Sequence, residues 1–184
     1  KQLPEDAILF DEALTNSPPV SNYIPPTKNG SYFLTRGGSL GVGFPGAIGA
    51  KLANPDKTVI GFSGDGGSMY TIQALWTAAR HNVNAKFVVC NNGSYHILQL
   101  NIDDYWQVNG LPKRDYPLSF DLSTPPIQFA EVARGLGIQA VRVEKPWEIE
   151  GAIKQMLGHP GPFLIDLVLE GDTHPERIGN TCGQ

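Results

Sequence analysis

Apolar and polar positions follow one another in blocks that predict strands separated by helices. Short β-branched or aromatic runs bounded by turn residues are typical of buried strands. Runs of this kind occupy residues 7–10, 31–35, 57–62, 86–90, 139–143 and 163–169. Small or apolar side chains at helical spacing predict helices over residues 41–52, 69–80, 127–136 and 147–157. Residues 16–30 are predicted to form an ordered loop, and the polar, Pro-rich residues 110–126 a long excursion.

The alternation of strands and helices favours an α/β fold, with a mostly parallel central sheet and helices on both faces. The chain has 184 residues and no internal repeat, which fits a single domain over residues 1–184. Sheets of this class bind ligands beyond the carboxyl ends of their strands, at the point where strand order reverses. Glycine and polar clusters that directly follow strands are therefore the first candidates for a functional site.

Composition and charge disfavour several classes of protein. The 18 acidic against 14 basic residues give a net charge of −4, and nucleic-acid binding needs a basic face. No apolar run approaches the roughly 20 residues that cross a bilayer, so a membrane partner is not expected. Cys90 ends an apolar run, and Cys182 is the one other cysteine. We therefore expect a buried thiol in a reducing, cytoplasmic compartment, without a disulfide framework. Because the first methionine is Met69, we expect the chain to derive from a longer protein.

The first glycine cluster, residues 41–46, matches the dinucleotide fingerprint GxGxxG. Asp65 follows at the end of the next predicted strand, where a ribose-binding acid would sit. A nicotinamide-dependent oxidoreductase is therefore an alternative function. Against it, residues 36–40 separate the first glycine from the preceding strand, and Pro45 suits a helix start better than a loop that donates amide protons. The competing interpretation is structural: small side chains let a helix approach the sheet closely.

The second glycine cluster, residues 64–68 (GDGGS), lies between a predicted strand and a predicted helix. Successive glycines let neighbouring amides point at one anion, and the N-terminus of a following helix adds partial positive charge. The carboxylate of Asp65 would repel a bound phosphate unless a divalent cation lay between them. This favours Mg²⁺, which takes oxygen ligands and keeps coordination positions for phosphate oxygens.

A neighbouring strand end offers the further oxygens that such a metal needs. The 24 residues 67–90 suffice for one helix and one strand, a right-handed crossover to a parallel neighbour. Asp65 and Asn92 would then emerge side by side, and Gly93 could turn the Ser94 carbonyl toward the same point. With two diphosphate oxygens and a water, these three oxygens would complete an octahedral shell.

GDG followed by NN at this gap resembles the signature of the pyrophosphate-binding domain of thiamine-diphosphate enzymes. The tract from residue 64 to 98 is most similar to benzoylformate decarboxylase-like enzymes, and the likeness extends through residues 36–49 and more weakly over nearly the whole chain. The resemblance implies thiamine diphosphate and Mg²⁺ as cofactors, with Asp65, Asn92 and the Ser94 carbonyl as metal ligands. It also implies contacts to the diphosphate (Thr15, Gly64, Gly66, Gly67), to the rings of the cofactor (the Gly38 carbonyl, Leu40, Tyr70, Tyr95) and to the substrate (His96, Leu98).

The resemblance further implies decarboxylation of a 2-oxo acid, or ligation of its product as in acetolactate synthase-like carboligases. A non-catalytic binding module is the alternative outside enzymes. In the family, a glutamate on a separate pyrimidine-binding domain activates the cofactor, and no segment here resembles that domain. We therefore expect no catalytic residue in this chain, which would be the C-terminal part of a longer enzyme or, alternatively, a separately encoded subunit. We also expect a pyrimidine-binding domain on the same or a partner chain, within a homodimer or homotetramer. Ala13 and Leu14 replace hydroxyl residues that are common in close relatives, and residues 101–124 resemble no one member, so the 2-oxo acid is left open.

Overall fold

The computed structural model describes residues 2–170, which share one six-stranded sheet. The strands are β1 (Ile8–Glu12), β2 (Tyr32–Leu34), β3 (Val59–Gly64), β4 (Lys86–Asn91), β5 (Gln139–Val143) and β6 (Phe163–Val168). Their order is β2-β1-β3-β4-β6-β5, and every neighbouring pair is parallel. The predicted α/β fold with a parallel sheet is confirmed. The chain moves from β1 to one side and then returns to the other, so strand order reverses between β1 and β3.

Helices cover both faces of the sheet. They are α1 (Ser17–Tyr23), α2 (Gly43–Ala53), α3 (Asp65–Ser68), α4 (Ala74–Arg80), α5 (His96–Val108), α6 (Phe129–Gly135) and α7 (Ile149–Gly158). Residues of α2, α4 and α6 form one core with the sheet, in which the rings of Phe44 and Phe87 meet edge to face at 5.2 Å. Residues of α7 form the second core on the opposite face, where Met156 packs with Ile60 and Val88.

Glycines allow α2 to lie close against β1 and β3. A Cβ atom on Gly61 would lie 2.8 Å from the Cβ of Ala47 and 2.9 Å from the carbonyl oxygen of Gly43. A Cβ on Gly46 would lie 2.6 Å from Cε1 of Phe10. Real side chains do not approach so closely, so the small residues of this cluster permit the packing. The structural interpretation of residues 41–46 is correct.

Three helices differ from the sequence prediction. Residues 16–30, predicted as a loop, contain α1, which starts with Pro in its first turn, where the missing amide costs nothing. The helix predicted over residues 69–80 begins only at Ala74, because α3 and the turns that follow it come first. Helix α5 lies between the strand predicted over residues 86–90 and the excursion predicted over residues 110–126, where no helix was predicted.

Cys90 is buried and free, as predicted, and burial raises the pKa of its thiol to about 12. Cys182 lies outside the described residues. Among residues 2–170, none of the helices combines the length and apolar character needed to cross a bilayer.

Candidate functional site

Asp65 and Asn92 lie next to each other at the carboxyl ends of adjacent strands. Strands β3 and β4 pair with Gly64 opposite Cys90, so both strands end at the same level of the sheet. The Asp65 carboxylate accepts hydrogen bonds from the amide of Asn92 at 3.1 Å and from the amide of Gly93 at 2.7 Å. The 24-residue gap predicts that Asp65 and Asn92 lie side by side, and the structure confirms it. Each of the two residues directly follows the end of its strand.

The carboxylate of Asp65 is almost completely buried, with 4% of the residue exposed. Burial raises the pKa of this carboxyl group, whereas hydrogen bonds from nearby backbone amides oppose that shift. Its second oxygen accepts from the amide of Gly66 at 2.7 Å. All the partners that these bonds supply are uncharged, so a buried ionised carboxylate here is left without a cation. A divalent ion would supply the missing positive charge.

The loop after β4 presents oxygens in the same place. Gly93 has a φ of +67°, a conformation that favours glycine, and turns the chain back toward the sheet edge. The Ser94 amide donates to the side-chain oxygen of Asn92 at 3.1 Å, which fixes that amide group. A short antiparallel contact uses the carbonyl of Gly93, which accepts from Leu122 at 2.8 Å, and the amide of Tyr95. The Ser94 carbonyl takes no part in this pairing.

The donor set fits a hard cation that brings further ligands with it. Carboxylate, amide and carbonyl oxygens are what Mg²⁺ prefers. In residues 2–170, no group of three or more His, Cys, Asp or Glu side chains is placed to hold a metal alone. A metal at Asp65 and Asn92 therefore requires additional oxygens, such as those of a diphosphate.

A narrow cleft of about 30 Å³ lies at these strand ends. Nine of the residues singled out in the sequence line it: Thr15, Gly64, Asp65, Gly66, Gly67, Asn92, Ser94, Tyr95 and His96. The volume is close to that of one water molecule, so it can admit a metal ion and phosphate oxygens but not the rings of a cofactor. Any larger part of a ligand must lie outside it.

The other four candidates do not line the cleft and are exposed. Leu40, Tyr70 and Leu98 are 37%, 59% and 40% exposed, and Gly38 lies in an exposed loop with a φ of +69°. A Cβ on Gly41 would lie 2.9 Å from the Cβ of Tyr70, which places this loop against the turn after α3.

Sequence reasoning missed Glu12, the last residue of β1. It is 1% exposed, and its carboxylate accepts hydrogen bonds from the amides of Gly41 and Gly43. Burial raises the pKa of this carboxyl group, while the amides of the glycine loop oppose the shift. The first glycine cluster thus binds a carboxylate of the chain itself, and its amides are not available to a dinucleotide phosphate. An acidic residue ending a strand at the reversal of strand order was the available signal.

Leu14 and Asn16 also line the cleft and were not predicted. Leu14 has a φ of +53°, which is unfavourable for a residue with a branched side chain. Strained backbone of this kind is concentrated at functional sites. The loop after β1 therefore belongs to the site as a whole, rather than through Thr15 alone.

Comparison with known proteins agrees with this geometry. The chain is 37% identical over 164 residues to benzoylformate decarboxylase of Pseudomonas aeruginosa, covering 89% of this chain and 29% of that protein. It is 30% identical over 149 residues to acetolactate synthase isozyme 1 large subunit of Escherichia coli, covering 80% of this chain and 25% of the relative. Among solved structures, it is similar to the thiamine diphosphate-dependent 4-hydroxybenzoylformate decarboxylase of Rhodococcus jostii, with a TM-score of 0.81 and 32% identity over 92% of this chain and 31% of that one.

The chain therefore spans less than a third of the length of these relatives. The family model for the C-terminal TPP-binding domain of thiamine pyrophosphate enzymes matches residues 16–167, which contain the second glycine cluster and the loop after β4. Together with the parallel sheet and the oxygen-lined cleft at its strand ends, this match shows that the chain belongs to the family of C-terminal thiamine pyrophosphate-binding domains.

Proposed function

We propose that this chain binds thiamine diphosphate through Mg²⁺ as part of a benzoylformate decarboxylase-like enzyme that acts on a 2-oxo acid. The observation that carries the proposal is the buried Asp65 carboxylate, which lies beside Asn92 with only uncharged partners. An acetolactate synthase-like carboligase is a second candidate, because a relative of that name is 30% identical over 80% of the chain.

In this proposal Asp65, the Asn92 side chain and the Ser94 carbonyl hold the metal. The diphosphate lies against Gly64–Gly67, the diphosphate turn, with Thr15 beside it. Glycine at position 67 is also required by packing, since a Cβ there would lie 3.3 Å from the Ser63 hydroxyl oxygen. When bound, thiamine diphosphate supplies an electron sink for cleavage of the bond to the carboxylate of the substrate.

The rings of the cofactor lie outside the narrow cleft, along the exposed rim. There the Gly38 carbonyl accepts a hydrogen bond from the amino group of the cofactor, and Leu40 supports its bend. Tyr70 and Tyr95 form the wall of this part of the site. His96 and Leu98 follow the metal loop and face the substrate. The exposure of the rim residues supports this arrangement, because the rings would cover them.

The proposal includes partners. Residues 1–184 form one domain at the C-terminal end of a longer, cytoplasmic protein, and a pyrimidine-binding domain of the same or a partner chain covers the rim. That domain supplies the glutamate that activates the cofactor, so this chain carries no catalytic residue of its own. The assembly is a homodimer or homotetramer. The chain covers only 29% and 31% of two of its relatives, which supports the presence of further domains in its own protein.

Calorimetry on the parent protein tests the binding function. Thiamine diphosphate should bind with Mg²⁺ and not with EDTA, and NAD should not bind. Asp65→Asn removes the charge and should weaken binding at least about tenfold, as loss of a buried charge-assisted contact does. Asp56→Asn, in the exposed turn before β3, is the matched control and should leave binding unchanged.

Asn92→Ala provides a second variant, because Asp65→Asn also disturbs three backbone hydrogen bonds. Binding that is independent of Mg²⁺, or that survives both substitutions, contradicts the proposal. Release of CO2 from benzoylformate or pyruvate by the parent protein then distinguishes an enzyme from a non-catalytic binding module.

A further inference from the structure

Two separate segments of the proposed cofactor site contact the same buried side chain. One is the diphosphate turn, Gly64–Gly67. The other is the loop of residues 36–42, which we call the ring loop because it carries Gly38 and Leu40. The inference below rests on the proposed function, and it concerns what holds these two segments at a fixed separation.

Glu12 lies between them, at the point where strand order reverses. It pairs with Ser63 at the end of the sheet, one residue before the diphosphate turn. Its two carboxylate oxygens accept the amides of Gly41 and Gly43, one on each side of Val42. A Cβ on Gly67 would lie 3.3 Å from Oε1 of Glu12, so the same carboxylate also packs against the turn.

Thr71 holds the ring loop from the other side. Its hydroxyl donates to the carbonyl oxygen of Gly41 at 2.7 Å, while the amide of Gly41 donates to Glu12. A Cβ on Gly41 would lie 2.9 Å from Cγ2 of Thr71, so a side chain at this position would force the loop away. The amide and the carbonyl of Gly41 are thus both held by side chains that are distant in sequence.

The outer part of the ring loop has few contacts by comparison. Gly37 and Gly38 have φ of +62° and +69°, and a Cβ on either would meet no atom within 4 Å. Its bonds are local and exposed to solvent, such as that from the Thr35 hydroxyl to the Ser39 carbonyl at 3.2 Å. The position of Gly38 and Leu40 relative to the diphosphate turn therefore depends on how the base of the loop is held.

We propose that Glu12 and Thr71 are positioning residues, which fix the ring loop relative to the diphosphate turn so that both ends of thiamine diphosphate are bound at once. Neither side chain touches the cofactor in this proposal. Their effect is to make the two contacts simultaneous, and misplacement by about 1 Å at such a site can cost a large factor in function.

Two ligands of different length, inorganic pyrophosphate and thiamine diphosphate, test this on the parent protein. Inorganic pyrophosphate with Mg²⁺ needs only the diphosphate turn and the metal ligands, whereas thiamine diphosphate with Mg²⁺ needs the ring loop as well. Glu12→Gln keeps the shape of the side chain but presents an amide to one of the two backbone donors. Thr71→Val keeps the shape and removes the hydroxyl. Each should weaken thiamine diphosphate binding by about tenfold, the effect of losing one hydrogen bond to a charged or buried group, and pyrophosphate binding by less than about twofold.

Lys86→Met is the matched control for loss of a buried polar group. Lys86 is 3% exposed and donates to the carbonyls of His159 and Gly161 at the opposite end of β4. It should change neither affinity. If Glu12→Gln does not fold, Thr71→Val carries the test, because Thr71 is only half-buried.

The ratio of the two affinities decides the outcome, since a purely structural role would change both ligands together. Equal weakening of both ligands, or no change in either, overturns the positioning role. Failure of the unaltered parent protein to bind either ligand with Mg²⁺ contradicts the proposed function instead. Hydrogen exchange at the amides of Gly41 and Gly43 gives an independent readout and should be faster in both variants.

Discussion

Gly66 and Tyr95 form a contact whose energy a double-mutant cycle can measure. Gly66 lies in α3, in the diphosphate turn, and a Cβ there would lie 2.7 Å from Cδ1 of Tyr95 and closer still to Cε1. Its φ lies outside the left-handed range, so alanine is compatible with the backbone itself. The nearest obstacle to Gly66→Ala is therefore the tyrosine ring.

The expected size follows from two opposing effects. Overpacking by a methyl group costs about 1–3 kcal/mol. Alanine is favoured over glycine in a helix by up to about 1 kcal/mol. Gly66→Ala should therefore lower the free energy of unfolding by about 0–3 kcal/mol in the unaltered chain. In the Tyr95→Ala background the clash is gone, and the same substitution should raise it by up to about 1 kcal/mol.

Urea denaturation of the unaltered chain, the two single variants and the double variant gives the coupling free energy between Gly66 and Tyr95. We expect about 1–3 kcal/mol, with the cost of Gly66→Ala present only when the ring is present. A cost that is equal in both backgrounds, within the roughly 0.5 kcal/mol error of such cycles, would refute the contact. The placement of Tyr95 as a wall of the site would then lose its main support.

Three further predictions concern the scaffold. Gly61→Ala should lower the free energy of unfolding by about 2–3 kcal/mol, because its Cβ would meet Ala47. Gly49→Ala, with open space around it, should raise the free energy of unfolding by up to about 1 kcal/mol, and thermal denaturation of both variants measures the difference. Arg142→Met should lower the free energy of unfolding in urea by about 2–4 kcal/mol, because Asp166 is fully buried and would keep only its hydrogen bond from the Asn91 side chain. Lys154→Met, which breaks an exposed ion pair, should lower it by less than about 1 kcal/mol. Burial lowers the pKa of Lys86 to about 8 from its ordinary 10.5, so the unfolded chain binds more protons between these values and stability should rise with pH. Relative to Lys86→Met, the gain should be about 3 kcal/mol between pH 7 and pH 11, and a constant difference would contradict it.

The strands could be predicted because a parallel sheet that is covered on both faces requires continuous apolar runs. Strand β4 is buried along its whole length, and the pattern shows it directly. Helix α5 was not predicted in the same way, because Trp106 is its one buried residue and the helix contributes little to the core. Helix α1 has no buried residue at all, so only its prolines mark it.

The candidate site was predictable where its residues follow strands at a fixed gap. Asp65 and Asn92 meet because one helix and one strand separate them, and a crossover of that length returns to the neighbouring position. Glu12 left no such pattern, because it contacts backbone amides 29 and 31 residues away. Every residue except proline carries a backbone amide, so the sequence does not show which amides a buried carboxylate contacts. Partners of this kind are found only in the structure.

The antiparallel contact between the loop after β4 and residues 120–122 has an evolutionary consequence. It is made by the main chain, through the Tyr95 amide with the Phe120 carbonyl at 2.9 Å and the Leu122 amide with the Gly93 carbonyl at 2.8 Å. Main-chain pairing is largely indifferent to the side chains on either partner. The excursion can therefore exchange its side chains over generations while continuing to brace the oxygen-bearing loop. Such a division would let substrate preference diverge among descendants without disturbing how the coenzyme is held.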